Sequence, residues 1–276
     1  MPLRGRPRFG FGAGAWVLLI GGIAAIFGTF FLLNARARGR FDSNSAPAPD
    51  RTIESEIAGL PPGHPWAGRY SKGIEHLEVS PTRWCRTIVF ADILDNDPPV
   101  GRLVVAGTHL RLNGTDEQDR ELADLVVVPW GERVYLVPTD RLTFFAGDVT
   151  AGIEPGRTGG YYLRDGDERK PAPGRPSLPP SFRKYLLNQE ISAAVLRVES
   201  PWVDKNLNRL IISAGRRQGV LTRMVFHFQK QNTDLAAFAI EVRENESMLL
   251  CPGYVPAINR PRAGWKATTG AAPAPH

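Results

Sequence analysis

The chain has 276 residues, long enough for two ordinary domains plus an anchor, and at 42% hydrophobic and 22% charged it excludes wholesale disorder. Its formal net charge of +6 comes from Arg4, Arg6, Arg8, Arg36, Arg38 and Arg40, which no acidic residue accompanies within residues 1–40. Residues 41–276 are neutral overall, so the folded part lacks the clustered cations that a nucleic-acid-binding surface needs.

Residues 1–12 form a basic tail. Residues 13–33 follow as an uncharged apolar run in which Thr29 is the one polar side chain. At 1.5 Å per residue such a run crosses a hydrocarbon core of ~30 Å as a helix, the form that pairs every backbone amide internally. Trp16 stands near one end, where an indole favours the interface. The run exceeds the usual length of a signal-peptide core, and the arginines around Ala35 disfavour cleavage, so it reads as a retained single-pass anchor. Three arginines lie on each side. The short basic tail favours an internal N-terminus, with the rest of the chain exported from a bacterial inner membrane into the periplasm. Residues 34–60 are a polar tether with a helical turn near 52–57.

The first domain is predicted over 61–165. It opens on PGHPWAGRYSKG (62–73), with Trp66 and Tyr70 as candidate barrel-end aromatics. RWCRTIVFADIL (83–94) alternates as a strand, and GRLVVAGTHLRL (101–112) reads as two strands meeting at Ala106 and Gly107. DLVVVPWGERVYLVP (124–138) reads as a hairpin turning at Trp130, Gly131 and Glu132. A helix follows, capped by Thr139 or Asp140, with Leu142, Phe145 and Val149 on one face and Gly152 as its stop. GGYYLR (159–164) supplies a last strand.

Residues 166–187 form a proline-rich linker and a short helix at 181–187. The second domain, 188–260, contains five strand candidates: ISAAVLRVE, NRLIISAG, MVFHFQK, LAAFAIEVRE and SMLLCPG. Five short strands in so small a domain suggest a closed, barrel-like module. Residues 261–276 are expected to be disordered. The fold class is therefore mainly β with a minor α part, two small β-rich domains and one N-terminal transmembrane helix. Charge separates along it: residues 41–170 carry 14 basic and 21 acidic side chains, and residues 171–276 carry 14 and 7. The two modules attract each other, or the basic one faces an anionic surface.

Searches for chemistry return little. Cys85 and Cys251, one in each domain, either pair in an oxidising compartment or serve as small buried apolar residues. None of the five histidines has two-ligand spacing, and no P-loop or nucleophile elbow occurs. Asp92, Asp95 and Asp97 are the best cation candidate, but Pro98 and Pro99 replace the turn glycine of a calcium loop. No cofactor is implied. Arg209, Arg216, Arg217 and Arg223 crowd around one strand-loop-strand and form the candidate interaction surface.

Three resemblances add to this. YLVPTDRLTFFAGDVTAGIEPG with YYLR resembles a block that recurs in membrane-anchored bacterial envelope proteins of no assigned activity. IISAGRRQGVLTRMVFHF resembles the glycine-punctuated strand-loop-strand of small β-barrel modules of the MreC type, with Arg223 and Met224 replacing that family's Gly-Met. The Gly/Trp opening at 62–73 is similar to that of lipocalin-like barrels, which implies a ligand cavity closed by Trp66 and Tyr70. The resulting expectation is an envelope protein with a structural or interaction role, whose partners are the lipid bilayer and an envelope protein or anionic surface. A small-ligand or lipid-binding barrel is the first alternative, and a hydrolase with dispersed carboxylates the second.

Overall fold

The computed structural model describes residues 51–90, 93–94, 100–114, 124–155, 160–199, 207–228, 235–252 and 260–270. All belong to one compact unit, Asp50–His276. The expected membrane span at 13–33 lies outside the described residues, and no described helix is long and apolar enough to cross a membrane.

Helix α1 (Arg51–Ala58) leads the unit and packs against the second and third strands. It buries Ile53 completely while Glu54 and Ser55 face solvent, the one-sided pattern of a surface helix. Strands β1 (Gly68–Lys72), β2 (Glu75–Val79), β3 (Arg83–Phe90), β4 (Ile93–Leu94), β5 (Val100–Ala106), β6 (His109–Asn113), β7 (Asp124–Trp130), β8 (Arg133–Pro138) and β9 (Tyr162–Arg164) follow. Their order is β2-β1-β9-β8-β7-β6-β5-β3-β4, and an added β2–β3 pairing closes the sheet on itself. Every pairing is antiparallel, so β1–β3 and β5–β9 form an up-and-down barrel with β4 appended to β3.

Alternation decides which side chains fill this barrel. Tyr70, Leu77, Trp84, Leu103, Leu112, Leu125, Leu136 and Tyr162 point inward and form one packed core. Side chains of this size fill the interior of a small barrel. At one end Tyr162 donates to Glu75 (2.7 Å), which also pairs with Lys72 (3.4 Å). Strands β7 and β8 are buried on both faces. Their outward residues Val126, Val128, Tyr135 and Val137 lie under Leu142, Phe145 and Ala146 of helix α2 (Leu142–Thr150). Neither Thr139 nor Asp140 caps α2; it is entered through a 3-10 turn at Thr139–Arg141, and the Thr139 hydroxyl bonds Asp124 instead. Its end matches the expected stop. Gly152 takes φ +68, its amide reaches Val149 O (3.1 Å), and that of Ile153 reaches Asp148 O (2.9 Å).

The 166–187 segment is not a free linker. The Ser177 amide bonds Pro129 O (2.8 Å), the Trp130 indole bonds Gly174 O (3.1 Å), and Leu178 is buried with the outer core of β7–β8. Buried Asp167 accepts from the Val134 amide (2.9 Å) and from Lys170 (2.5 Å). Prolines suit this course because a strap lying across a barrel wall has few partners for amide donors. The short helix expected at 181–187 is a single 3-10 turn, Arg183–Tyr185.

The second barrel has six strands, not five: β10 (Ser192–Glu199), β11 (Leu207–Ile212), β12 (Val225–Phe228), β13 (Ala236–Val242), β14 (Ser247–Pro252) and β15 (Lys266–Thr268). Their cyclic order is β10-β11-β14-β13-β12-β15. Strand β15 falls in the tail expected to be disordered; it is short but sits between β10 and β12 and completes the closure. Leu210, Ile212, Phe226, Phe228, Leu249 and Cys251 fill the interior. Cys85 and Cys251 are buried in different barrels and no disulfide joins them. Each acts as a small apolar residue, and burial pushes the Cys251 thiol up to about 11.

Candidate ligand-binding cleft

Helix α2 is buried from two sides. One face packs on β7–β8; the other, carrying Phe144, Gly147 and Asp148, meets the second barrel. Phe144 and Phe238 stack edge to face with centroids 5.4 Å apart. A side chain at Gly147 would place its Cβ 2.8 Å from Val225 Cβ, so only glycine permits this approach. Two polar bonds complete the junction: Arg223 donates to Asp140 O (2.7 Å) and the Tyr185 hydroxyl to Thr222 O (3.0 Å).

Beside this junction lies a cleft of about 740 Å³, between α2 with the residues flanking it and the outer face of β12–β13. Phe144, Ile153, Val225 and Ala236 supply its apolar lining; Arg141, Asp148, Glu154, Tyr161 and His227 supply its polar groups. The polar wall is built on a rigid aromatic support. Tyr135, Phe145 and Tyr161 stack edge to face in series, with centroids 5.2 and 5.1 Å apart, and the Tyr161 hydroxyl donates to Asp148 Oδ2 at 2.9 Å. Burial, reinforced by the Asp148 charge, holds the Tyr161 hydroxyl protonated far above its ordinary range. Tyr161 is therefore a fixed donor. Glu154 is oriented by Arg133 (2.7 Å) from the first barrel. On the opposite wall, β12 alternation turns Phe226 and Phe228 into the second core and Val225 and His227 towards the cleft.

Of the four arginines read from sequence, Arg216 and Arg217 sit together beside the β13–β14 turn. Arg216 donates to Val242 O (3.3 Å), Arg217 pairs with Glu244 (3.2 Å), Arg223 is committed to Asp140 O, and Arg209 lies along β11. Trp66 and Tyr70 do come together at one end of the first barrel, where the Tyr70 hydroxyl donates to Trp66 O (2.5 Å) and Arg164 to Tyr70 (3.1 Å). Asp92, Asp95 and Asp97 lie outside the described residues, and no metal-holding cluster of histidines, cysteines and carboxylates occurs among the described ones.

One polar cluster resembles hydrolase chemistry in composition alone. On the outer face of β1–β2, Ser71 Oγ donates to Asp165 (2.5 Å) and meets His76 Nδ1 at 2.9 Å. The aspartate thus takes the hydroxyl proton that a nucleophilic serine must give to its histidine, and the imidazole has no orienting carboxylate in this chain of contacts. His109, Asp124 and Thr139 form a second surface cluster, with Asp124 accepting from Thr139 at 2.9 Å and lying 3.3 Å from His109.

Sequence reasoning placed α2 correctly and set His227 in the strand candidate MVFHFQK without ligand spacing. It missed Arg141, Asp148, Glu154 and Tyr161. The two walls of the cleft are separated by more than 60 residues of chain, so no local spacing announces them. The one sequence signal was Asp148, the single charged side chain of a mostly apolar helix. No protein family, curated protein or solved structure matches this chain.

Proposed function

We propose that this chain is a membrane-tethered protein of the bacterial envelope that binds a partner's polypeptide segment in the cleft beside α2, acting as an interaction module rather than an enzyme. The cleft itself carries the reading. Its volume lies within the ~300–1,000 Å³ range of ligand sites, and its apolar floor with a few fixed polar groups is the mixture such sites use. Closed barrels offer few strand edges for recognition by strand addition, so side-chain surfaces and concavities are left to do the binding. Membrane tethering rests on the apolar run at 13–33 and the polar stretch to residue 50.

A photo-crosslinking side chain at Ile153, in the full chain in its native membrane, tests this directly. It should capture a defined partner, and Ala236→Trp, which fills the facing wall, should abolish capture. The same probe at Asn245, on an exposed hairpin of the second barrel, should capture none. Identical products from positions 153 and 245, or capture indifferent to Ala236→Trp, would show that the cleft is not the binding site.

A further inference from the structure

We infer that the outer face of β5–β6 docks on the surface of an anionic lipid bilayer. Register and alternation define this face. Leu103 and Leu112 are inward partners, so Val100, Arg102 and Val104 of β5 and Arg111 of β6 point outward. Val104 lies opposite Arg111, and Arg102 opposite Asn113. Val100 and Val104 are 43% and 47% exposed, among the most exposed large apolar side chains described. Asp124 is the register partner of Arg111, yet its carboxylate is turned to Thr139 and His109. Two guanidinium groups therefore flank two bare valines on a module whose sequence is otherwise acidic. Planar guanidinium forks suit phosphate oxygens, and short apolar side chains between them suit the headgroup boundary.

The place where the chain joins the body selects lipid over an acidic protein, an argument that rests on the membrane-tethered reading above. Helix α1 lies against β2 and β3, and β3 pairs directly with β5, with Cys85 opposite Val100. The chain thus reaches the body beside this face. The 17 residues from 34 to 50 span at most about 60 Å when extended, which keeps the body within reach of the bilayer that would hold residues 13–33. Arginine attraction to an anionic surface decays within a Debye length, so the contact is sensitive to salt.

The test uses the full chain reconstituted in phosphatidylcholine vesicles with or without phosphatidylglycerol. An environment-sensitive fluorophore is placed on Val104→Cys; Cys85 and Cys251 are buried and escape labelling. The expected result is a blue shift only with phosphatidylglycerol, reversed by salt, lost in R102E/R111E, and absent from the same probe on Asn245→Cys. No shift with phosphatidylglycerol, or an equal shift in pure phosphatidylcholine or at position 245, overturns the docking. So does a shift produced by soluble polyglutamate and not by phosphatidylglycerol, which would assign the face to an acidic protein. Carbonate extraction of the same vesicles reports on the anchor separately. A chain that is extracted yet still shifts on phosphatidylglycerol supports docking and refutes anchoring; a chain that is retained and does not shift does the reverse.

Discussion

Gly101 lies directly across from Trp84 inside the first barrel, and the indole occupies the space that a side chain at position 101 would need. A Cβ there would stand 2.4 Å from Trp84 Nε1 and 2.0 Å from Asn113 O, the carbonyl to which that nitrogen donates at 3.1 Å. The largest side chain of the core is thus seated by the smallest residue opposite it.

Gly101→Ala is therefore expected to destabilise the protein by about 3 kcal/mol, since the clash falls on backbone and on a buried ring that cannot move aside. The shift of the urea midpoint at constant slope measures it. A loss below about 0.5 kcal/mol would mean that the barrel repacks at no cost.

Deleting residues 261–276 should open the second barrel. Strand β15 pairs with β10 through Ser192, Ala193 and Ala194 and with β12 through His227 and Phe228, and Ala267 is fully buried. Without it two strands gain bare edges over an exposed core. The truncated chain should bind a hydrophobic dye and lose amide protection along β12. A truncated chain that melts like the full one would return this segment to the status of a tail.

Arg223 has φ 70, the one positive value at a non-glycine among the described residues, and it spans the junction to Asp140 O. Arg223→Ala keeps the strained backbone and loses the bond, whereas Arg223→Gly loses the bond and relaxes the backbone. The alanine variant should be the less stable by about 1–2 kcal/mol. Equal melting temperatures for the two variants would remove the strain argument.

Alkaline pH should weaken the fold through its buried tyrosines. Burial pushes the Tyr70 hydroxyl from 10.0 up to about 12, against the opposing pull of Arg164. A raised folded value means that the folded chain holds the proton more tightly. The associated stability is complete below pH 10 and is lost as pH rises from there towards 12. Tyr161 shifts in the same direction. Tyr70→Phe should flatten part of this loss and cost about 1 kcal/mol at neutral pH for the bond to Trp66 O. Denaturation midpoints followed from neutral pH into this window provide the measurement, and an unchanged alkaline slope in the variant would contradict the assignment.

Much of the body was legible in the chain. The hairpin at Trp130 and Gly131, helix α2 with its stop at Gly152, and five strands of the second barrel all announce themselves by period and turn chemistry. Strands β1 and β2 did not. Their inward positions include Lys72 and Glu75 besides Tyr70, Leu77 and Val79, because the barrel end satisfies a polar pair with Tyr162, and this breaks the apolar alternation. Strand β15 is three residues long and too short to show a period.

By itself, then, the sequence determined the strands that carry a clear apolar period, which excludes β1, β2 and β15, and that one long apolar run precedes them. These follow from local periodicity, which needs no knowledge of distant residues. Only the tertiary structure decided that the first domain also closes on itself, that β15 completes the second barrel, that the proline-rich segment is a strap, that the cysteines stay apart, and that Asp148, Tyr161 and His227 share a cleft. Each of these depends on contacts between residues far apart in the chain, and the closure that creates them is set by the packing of whole strands rather than by any local pattern.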